Sequence, residues 1–330
     1  MKILVTGATG FVGSHVARAL LRLGHEVTLF HRKSSKLDIL EGDEARMGHA
    51  IGDLGDAESC LAAARGQEAV FHVAGDVDQG DGDVERQYRI NVQGTRNICE
   101  GALQHRIRRF VHTSSVSAIG YSPYGAECDE TTPFNFGPLG LTYMETKNQA
   151  EFVVQEYVRR GLNAVIVNPS TLYGPGDRKS LMAESVRAAA MGRMPAVPSG
   201  GMNWVYVDDV TSCHLLAFEK GRTGERYIAA GENMAFLEFA RRIARLNGRR
   251  GPLATIPPVV SVAGARVIRA ASWLTRRPPP FSVPSARVSA ERLYYSSRKA
   301  VSELGYRITP FDEGMKRTLA WMRHAGYLKD

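Results

Sequence analysis

The chain has 330 residues, 44% of them hydrophobic and 23% charged, an ordinary globular composition long enough for one large domain or two unequal lobes. Four scattered cysteines without CxxC spacing, Cys60, Cys99, Cys128 and Cys213, argue against a disulfide framework or zinc site, and no HExxH-like cluster offers a metal cage. The net charge of +8 suits an anionic partner, but no reading motif and no basic run interleaved with stacking aromatics points to nucleic acid, so a solvated basic face is expected.

In chain order, "KILVTG" reads as a strand that begins at once, without an export leader, so a reducing cytoplasm is the expected location. A helical pattern at Val12, Val16, Leu20 and Leu23 follows, then Gly24 and the strand "EVTLF", which makes a βαβ unit. The alternation continues through "EAVFHVAG", a helix around "NVQGTRNICEGALQ", "RRFVHTSS", a helix opened by a Thr142–Glu145 capping box, and "NAVIVNPS". Continuous apolar strands between helices predict an α/β fold, a doubly wound parallel sheet over residues 1–168. Beyond Pro169 the pattern loosens, with Gly and Pro in "YGPGD", "VPSGG" and "RRPPPFSVPS", so 169–330 reads as a smaller C-terminal lobe with some segments returning to the first domain. No apolar run reaches the roughly 18 residues of a membrane span. The segment "VVSVAGARVIRAASWLTRR" reads as a helix packed over a pocket with its arginines outward, in preference to a helix lying on a membrane.

The first strand ends in "TGATGFVG". Gly7, Gly10 and Gly13, with Thr9, Phe11 and Val12 between them, stand where a tight turn meets a helix amino terminus, the arrangement that binds a dinucleotide pyrophosphate in a Rossmann-type domain. The second strand ends in "LFHRKSSK", with no acid for the adenosine ribose; Arg32 and Lys33 there favour NADP(H), with NAD(H) as the alternative. Asp53 and Leu54 in "IGDLGD" stand where a carboxylate could meet adenine, although the sequence also suits a plain turn, and Gly75 would pass near the cofactor. Ser114, Ser115 and Ser117 follow a strand at the edge where parallel sheets bind ligands. Tyr143 and Lys147, four apart on one helix, share a face. Alone the pair suits any surface helix, but beside a nucleotide the ammonium would favour phenolate and let Tyr143 exchange a proton near neutrality.

Together, TGxxGxxG at Thr6 to Gly13, "GDL" at Gly52, "HVAG" at His72, "NVQGT" at Asn91, "TSS" at Thr113, Tyr143-xxx-Lys147 and "NPSTLYGPGD" at Asn168 resemble the extended short-chain dehydrogenase/reductases over essentially the whole chain. The branch they look most like is the dihydroflavonol reductase-like one, with the hopanoid-associated sugar epimerases. The resemblance implies that Ser115, chosen over Ser114 by its distance ahead of Gly120, holds the substrate oxygen, that Tyr143 transfers its proton, and that Lys147 binds the nicotinamide ribose. It also implies that Val73, Ala74, Gly75 and Thr113 line the cofactor, that Pro169, Ser170 and Thr171 meet its carboxamide, and that Asn91 supports the active-site helix. Sugar-nucleotide relatives often carry an Arg ahead of "VDD"; Asn203 and Trp204 stand there, which makes a nucleotide sugar less expected. Among Tyr121, Tyr124, Phe134, Phe136, Tyr173 and Trp204, Tyr173 and Trp204 are the expected substrate contacts. The expected function is NADPH-dependent reduction of a ketone or aldehyde by a homodimer joined through the helix at 143–159; the alternatives are a sugar epimerase or dehydratase and a non-catalytic NADP sensor.

Overall fold

The computed structural model describes residues 1–77, 83–178, 180–275 and 283–328. Six strands come first: β1 (Lys2–Thr6), β2 (Glu26–His31), β3 (Gly48–Ile51), β4 (Ala69–His72), β5 (Arg109–Thr113) and β6 (Ala164–Pro169). Shorter ones follow: β7 (Thr171–Tyr173), β8 (Ala196–Pro198), β9 (Gly201–Tyr206), β10 (Arg226–Ala229), β11 (Glu232–Ala235), β12 (Ala254–Ile256) and β13 (Arg292–Leu293). Helices α1 (Phe11–Arg22), α2 (Ala57–Ala64), α3 (Val84–Gln87), α4 (Gly94–Gln104) and α5 (Thr142–Arg159) alternate with the early strands. Helices α6 (Leu181–Ala190), α7 (Val207–Lys220), α8 (Phe236–Leu246), α9 (Pro258–Thr275), α10 (Val283–Val288) and α11 (Phe311–His324) complete the set.

The main sheet is parallel throughout, in the order β10-β6-β5-β4-β1-β2-β3. Strands β4, β5 and β6 are buried along their whole length, which is why each reads as an unbroken apolar run rather than an alternating one. One face is covered by α1 and α7, whose Val16, Leu20, Val210 and Ala217 pack on Val5, Val111 and Val165. Cys60, Ile98, Cys99, Val153 and Tyr157 of α2, α4 and α5 cover the other. The order of the strands reverses between β1 and β4, so their carboxyl ends open a crevice there.

The second half of the chain does not stay in its own lobe: β10 adds an edge to the main sheet beside β6, and α7 covers it. The remainder packs around β9, which pairs with β7, β11 and β13. Two sequence expectations change here. The Thr142–Glu145 capping box is not formed, because Leu141 occupies the cap and its carbonyl takes the Glu145 N–H at 3.3 Å. Helix α9 turns valines as well as arginines outward, with Val259 78%, Val260 57% and Val267 69% exposed. The proline run at 278–280 lies outside the described residues.

Candidate active site

At the head of β1, Gly7 has φ +76°, and a Cβ there would sit 2.5 Å from the Ala74 nitrogen; one on Gly13 would sit 2.1 Å from the Gly7 carbonyl oxygen. These two glycines are required by the chain's own packing. Gly10 differs, since a Cβ would meet only the Gly7 oxygen, at 3.3 Å, and Gly10 is exposed at the cap of α1. No side chain caps this helix and no acid stands in its first turn, so its N–H groups are left for an anion. Thr9, Phe11 and Val12, partly exposed around them, belong to the same mouth.

Past the end of β2, Arg32 and Lys33 are exposed beside this mouth. Asp53, at the end of β3, commits Oδ1 to the Gly55 N–H at 2.8 Å, and Leu54 accepts the Asn97 side-chain amide at 2.7 Å, so both also serve the turn. Beyond β4, Ala74 donates to the Thr6 hydroxyl at 3.2 Å and Val73 to the Thr6 carbonyl, which fixes that loop against the glycine turn. Gly75 lies under the lysine: a Cβ there would be 3.0 Å from Lys147 Nζ and 3.3 Å from Asn91 Oδ1. These residues form one cradle in which a dinucleotide fits.

Ser115 follows β5 in extended backbone, and its hydroxyl accepts the Ser117 N–H at 3.1 Å. It is also hydrogen-bonded to Tyr143. Tyr143 and Lys147 are 8% and 4% exposed, one turn apart on α5. Lys147 donates from Nζ to the Thr113 carbonyl at 3.0 Å. Thr113 is held in turn by His214: the imidazole Nδ1 faces the Val210 carbonyl and must carry the proton, so Nε2 accepts the Thr113 hydroxyl at 2.8 Å. Burial pulls the Lys147 pKa down to about 8, opposed by the Glu151 carboxylate. The Tyr143 pKa lies above the ordinary tyrosine value. Burial raises it, the Ser115 hydrogen bond offsets this in part, and any further lowering has to come from charge brought by a cofactor.

Asn91 sits in a π-helical turn, Tyr88–Gln93, that joins α3 to α4. Its amide takes the Asp76 N–H at 2.7 Å and donates to the Asp76 carbonyl at 2.9 Å and to Thr146 Oγ1 at 3.0 Å. The residue therefore ties the loop after β4 to α5. Sequence reasoning missed a second brace. Glu151 is ion-paired to Arg226 at 3.0 Å and accepts from Asn168 Nδ2 at 2.5 Å, while Asn168 also donates to the Ser115 carbonyl at 2.9 Å. The signal was present, since Tyr143, Lys147 and Glu151 are evenly four apart and so share a helix face.

A pocket whose wall includes Val116 and Met144, the chain neighbours of Ser115 and Tyr143, is lined by the apolar Phe136, Leu141, Met202, Val288 and Leu293 and by the polar Ser117, Ser285, Ser289 and Tyr295, with Ser170 after β6, Thr171 on β7 and Asn203 on β9. Among the described residues no Lys or Arg lines it. Asn203 is saturated by the protein, accepting from Ser170 at 2.6 Å and Gly231 at 2.8 Å and donating to Asn233 at 2.7 Å. Pro169 precedes these residues as the buried last residue of β6. Tyr173 and Trp204 are not in the pocket wall. They are 2% and 1% exposed inside the C-terminal lobe, Tyr173 against Phe311 and Trp204 stacked on Phe239 at 3.7 Å. Bulky aromatics on β7 and β9 supply that lobe's core instead; of the aromatics considered, Phe136 is the one that lines the pocket.

A doubly wound parallel sheet with a glycine cradle, a half-buried Ser115 and a buried Tyr143 and Lys147 defines an NAD(P)-dependent oxidoreductase. Residues 3–230 match the family described as NAD dependent epimerase/dehydratase, and the chain belongs to it, among the extended short-chain dehydrogenase/reductases. It is 35% identical over 331 residues to sterol demethylase protein B of Methylococcus capsulatus, covering 99% of this chain and 100% of that one. It is 30% identical to 2-alkyl-3-oxoalkanoate reductase of Stenotrophomonas maltophilia, covering 97% and 99% of the two chains. The crystal structure of gox2253 superposes with a TM-score of 0.87 at 35% identity, covering 99% of both chains.

Proposed function

We propose that this protein uses NADPH to reduce a ketone or aldehyde on a predominantly apolar substrate. The observation that carries this reading is the pocket next to Ser115 and Tyr143, where Val116, Phe136, Leu141, Met144, Met202, Val288 and Leu293 share the wall with uncharged hydroxyl and amide side chains and, among the described residues, no cation stands to receive a sugar-nucleotide diphosphate. The names of two relatives, a sterol demethylase component and an alkyl-oxoalkanoate reductase, fit a substrate of that kind.

In this reading the N–H groups at the head of α1 and the cradle of Gly7, Gly10, Gly13, Val73, Ala74 and Gly75 hold the dinucleotide. Thr113, Pro169, Ser170 and Thr171 border its nicotinamide end, and Arg32 and Lys33 select a 2′-phosphate. The reduced nicotinamide supplies the hydride. Ser115 receives the substrate carbonyl oxygen by hydrogen bond, and Tyr143 gives that oxygen a proton as it gains charge. Lys147 stays protonated to stabilise the phenolate left behind, with its Nζ anchored on Thr113. The products are an alcohol and NADP⁺. Four buried thiols suit a cytoplasmic location, and a homodimer through α5 is supported by Phe152, which leaves an apolar ring 67% exposed on that helix.

The test is NADPH oxidation with apolar ketones, followed by Tyr143→Phe. The variant is expected to bind NADPH normally and to lose on the order of 10²- to 10⁴-fold in kcat. Equal turnover in Tyr143→Phe refutes the assigned role. A wild-type protein that retains NAD through purification and never exchanges it fits epimerisation instead.

A further inference from the structure

We propose that α9 is an interfacial helix that seats this protein on an anionic lipid bilayer. In a helix of 3.6 residues per turn, Val259, Val260, Ala263, Gly264, Val267 and Ala270 fall within an arc of about 140°. All six are exposed. The opposite side, with Ala265 buried and Ser261 and Ile268 half-buried, faces the protein. The polarity is therefore inverted relative to an ordinary surface helix, which turns its apolar stripe inward.

The flanking charge decides the occupant. From Gly251 to Ala290 the sequence holds five arginines and not one Asp or Glu. Arg266 and Arg269 are both exposed on one flank of the apolar arc, about 20° and about 80° beyond its edge, and Arg287 is exposed on α10, which packs against α9. A second copy is disfavoured, because a two-fold interface would set these arginines against their own equivalents with no acid in the segment to offset them. An apolar strip with arginines on one flank suits the headgroup region of a membrane that carries acidic lipid. Among the described residues no helix is long and apolar enough to cross a membrane, so the contact lies in the plane of the surface. Docking there brings a pocket wall close to the lipid, since Ser285 and Val288 of α10 and Ser289 beside it line the pocket.

The experiment is flotation of the full chain with vesicles of phosphatidylcholine alone and of phosphatidylcholine and phosphatidylglycerol in equal parts. It needs no substrate, so it stands apart from the proposed reduction. The protein is expected to float with the anionic vesicles, to stay behind with the neutral ones, and to be released by salt. Val260→Asp/Val267→Asp should abolish flotation, and Arg266→Glu/Arg269→Glu should weaken it by about 30-fold or more. All four positions are exposed, and unchanged NADPH binding confirms that each variant is folded. Failure of the wild type to float, or flotation indifferent to these changes, overturns the proposal. So does a mass by light scattering that falls to the monomer in Val260→Asp/Val267→Asp when the wild type binds no vesicles, because α9 is then covered by another copy.

Discussion

Lys147 is a buried cation whose Nζ rests on one backbone carbonyl, with the nearest countercharge, Glu151, shared with Arg226. Because its folded pKa, about 8, lies below the free value, it loses its proton earlier in the folded protein as pH rises. Folded and unfolded chains differ in protonation between about 8 and the ordinary lysine range. In that window the unfolded chain holds more protons, so this residue's burial penalty fades and its contribution to stability rises with pH. Activity moves the other way: if charged Lys147 is required, kcat/KM should fall above about pH 8. Glu151→Gln removes the interaction that raises this pKa, and should move the falling limb to lower pH; an unshifted limb would mean that Glu151 acts only as a brace. Arg32 offers a second test. Arg32→Ala should weaken NADPH binding on the order of 10- to 100-fold, the loss expected for one charge-assisted contact, and leave NADH binding nearly unchanged in paired titrations. That Tyr143 and Lys147 would share one helix face was legible from their four-residue spacing, whereas the choice of Ser115 over Ser114 came from the family resemblance. Asn168 and Arg226 were not legible, because their roles depend on strands from distant parts of the chain meeting at one helix.

Helix α5 joins the site to the outside of the molecule. Its inner face carries Tyr143, Lys147 and Glu151, while Phe152 stands on its outer face. Phe152→Asp is expected to raise the dimer dissociation constant by at least about 30-fold, as for an interface hot spot, and light scattering across a dilution series would measure it. A protein that is monomeric before the change removes α5 as the dimer face. The start of α5 was read from sequence within a residue, but its capping mechanism was not, because Thr142 and Glu145 suit a box only if the preceding backbone presents Thr142 as the cap. In the structure Leu141 takes that place. For α9 the period was legible and the direction was not. A hydrophobic stripe shows that a helix has a distinct face; which way the face turns depends on the neighbours that cover it.

At the scale of the whole molecule, the alternating pattern was enough to specify most of the parallel sheet through β6, since the runs at β1, β4, β5 and β6 are buried strands between covering helices; β3, short and mostly exposed, is the exception. The seventh strand was harder to find: β10 is only four residues long and arrives after the looser region of Gly and Pro. Its placement beside β6 is decided by the return of α7 across the sheet, a long-range event with no local mark. The match to the family runs to residue 230, one residue past the end of β10, and so takes in all seven strands of the main sheet. That has a consequence for biosynthesis. As the chain leaves the ribosome, the edge of β6 stays unpaired and one face of β5 and β6, that of Val111, Val165 and Val167, stays bare until α7 and β10 have emerged. The nucleotide cradle is complete in sequence by Gly75, yet the sheet that makes it rigid waits for more than a hundred further residues, an interval in which a chaperone has an open strand edge to guard.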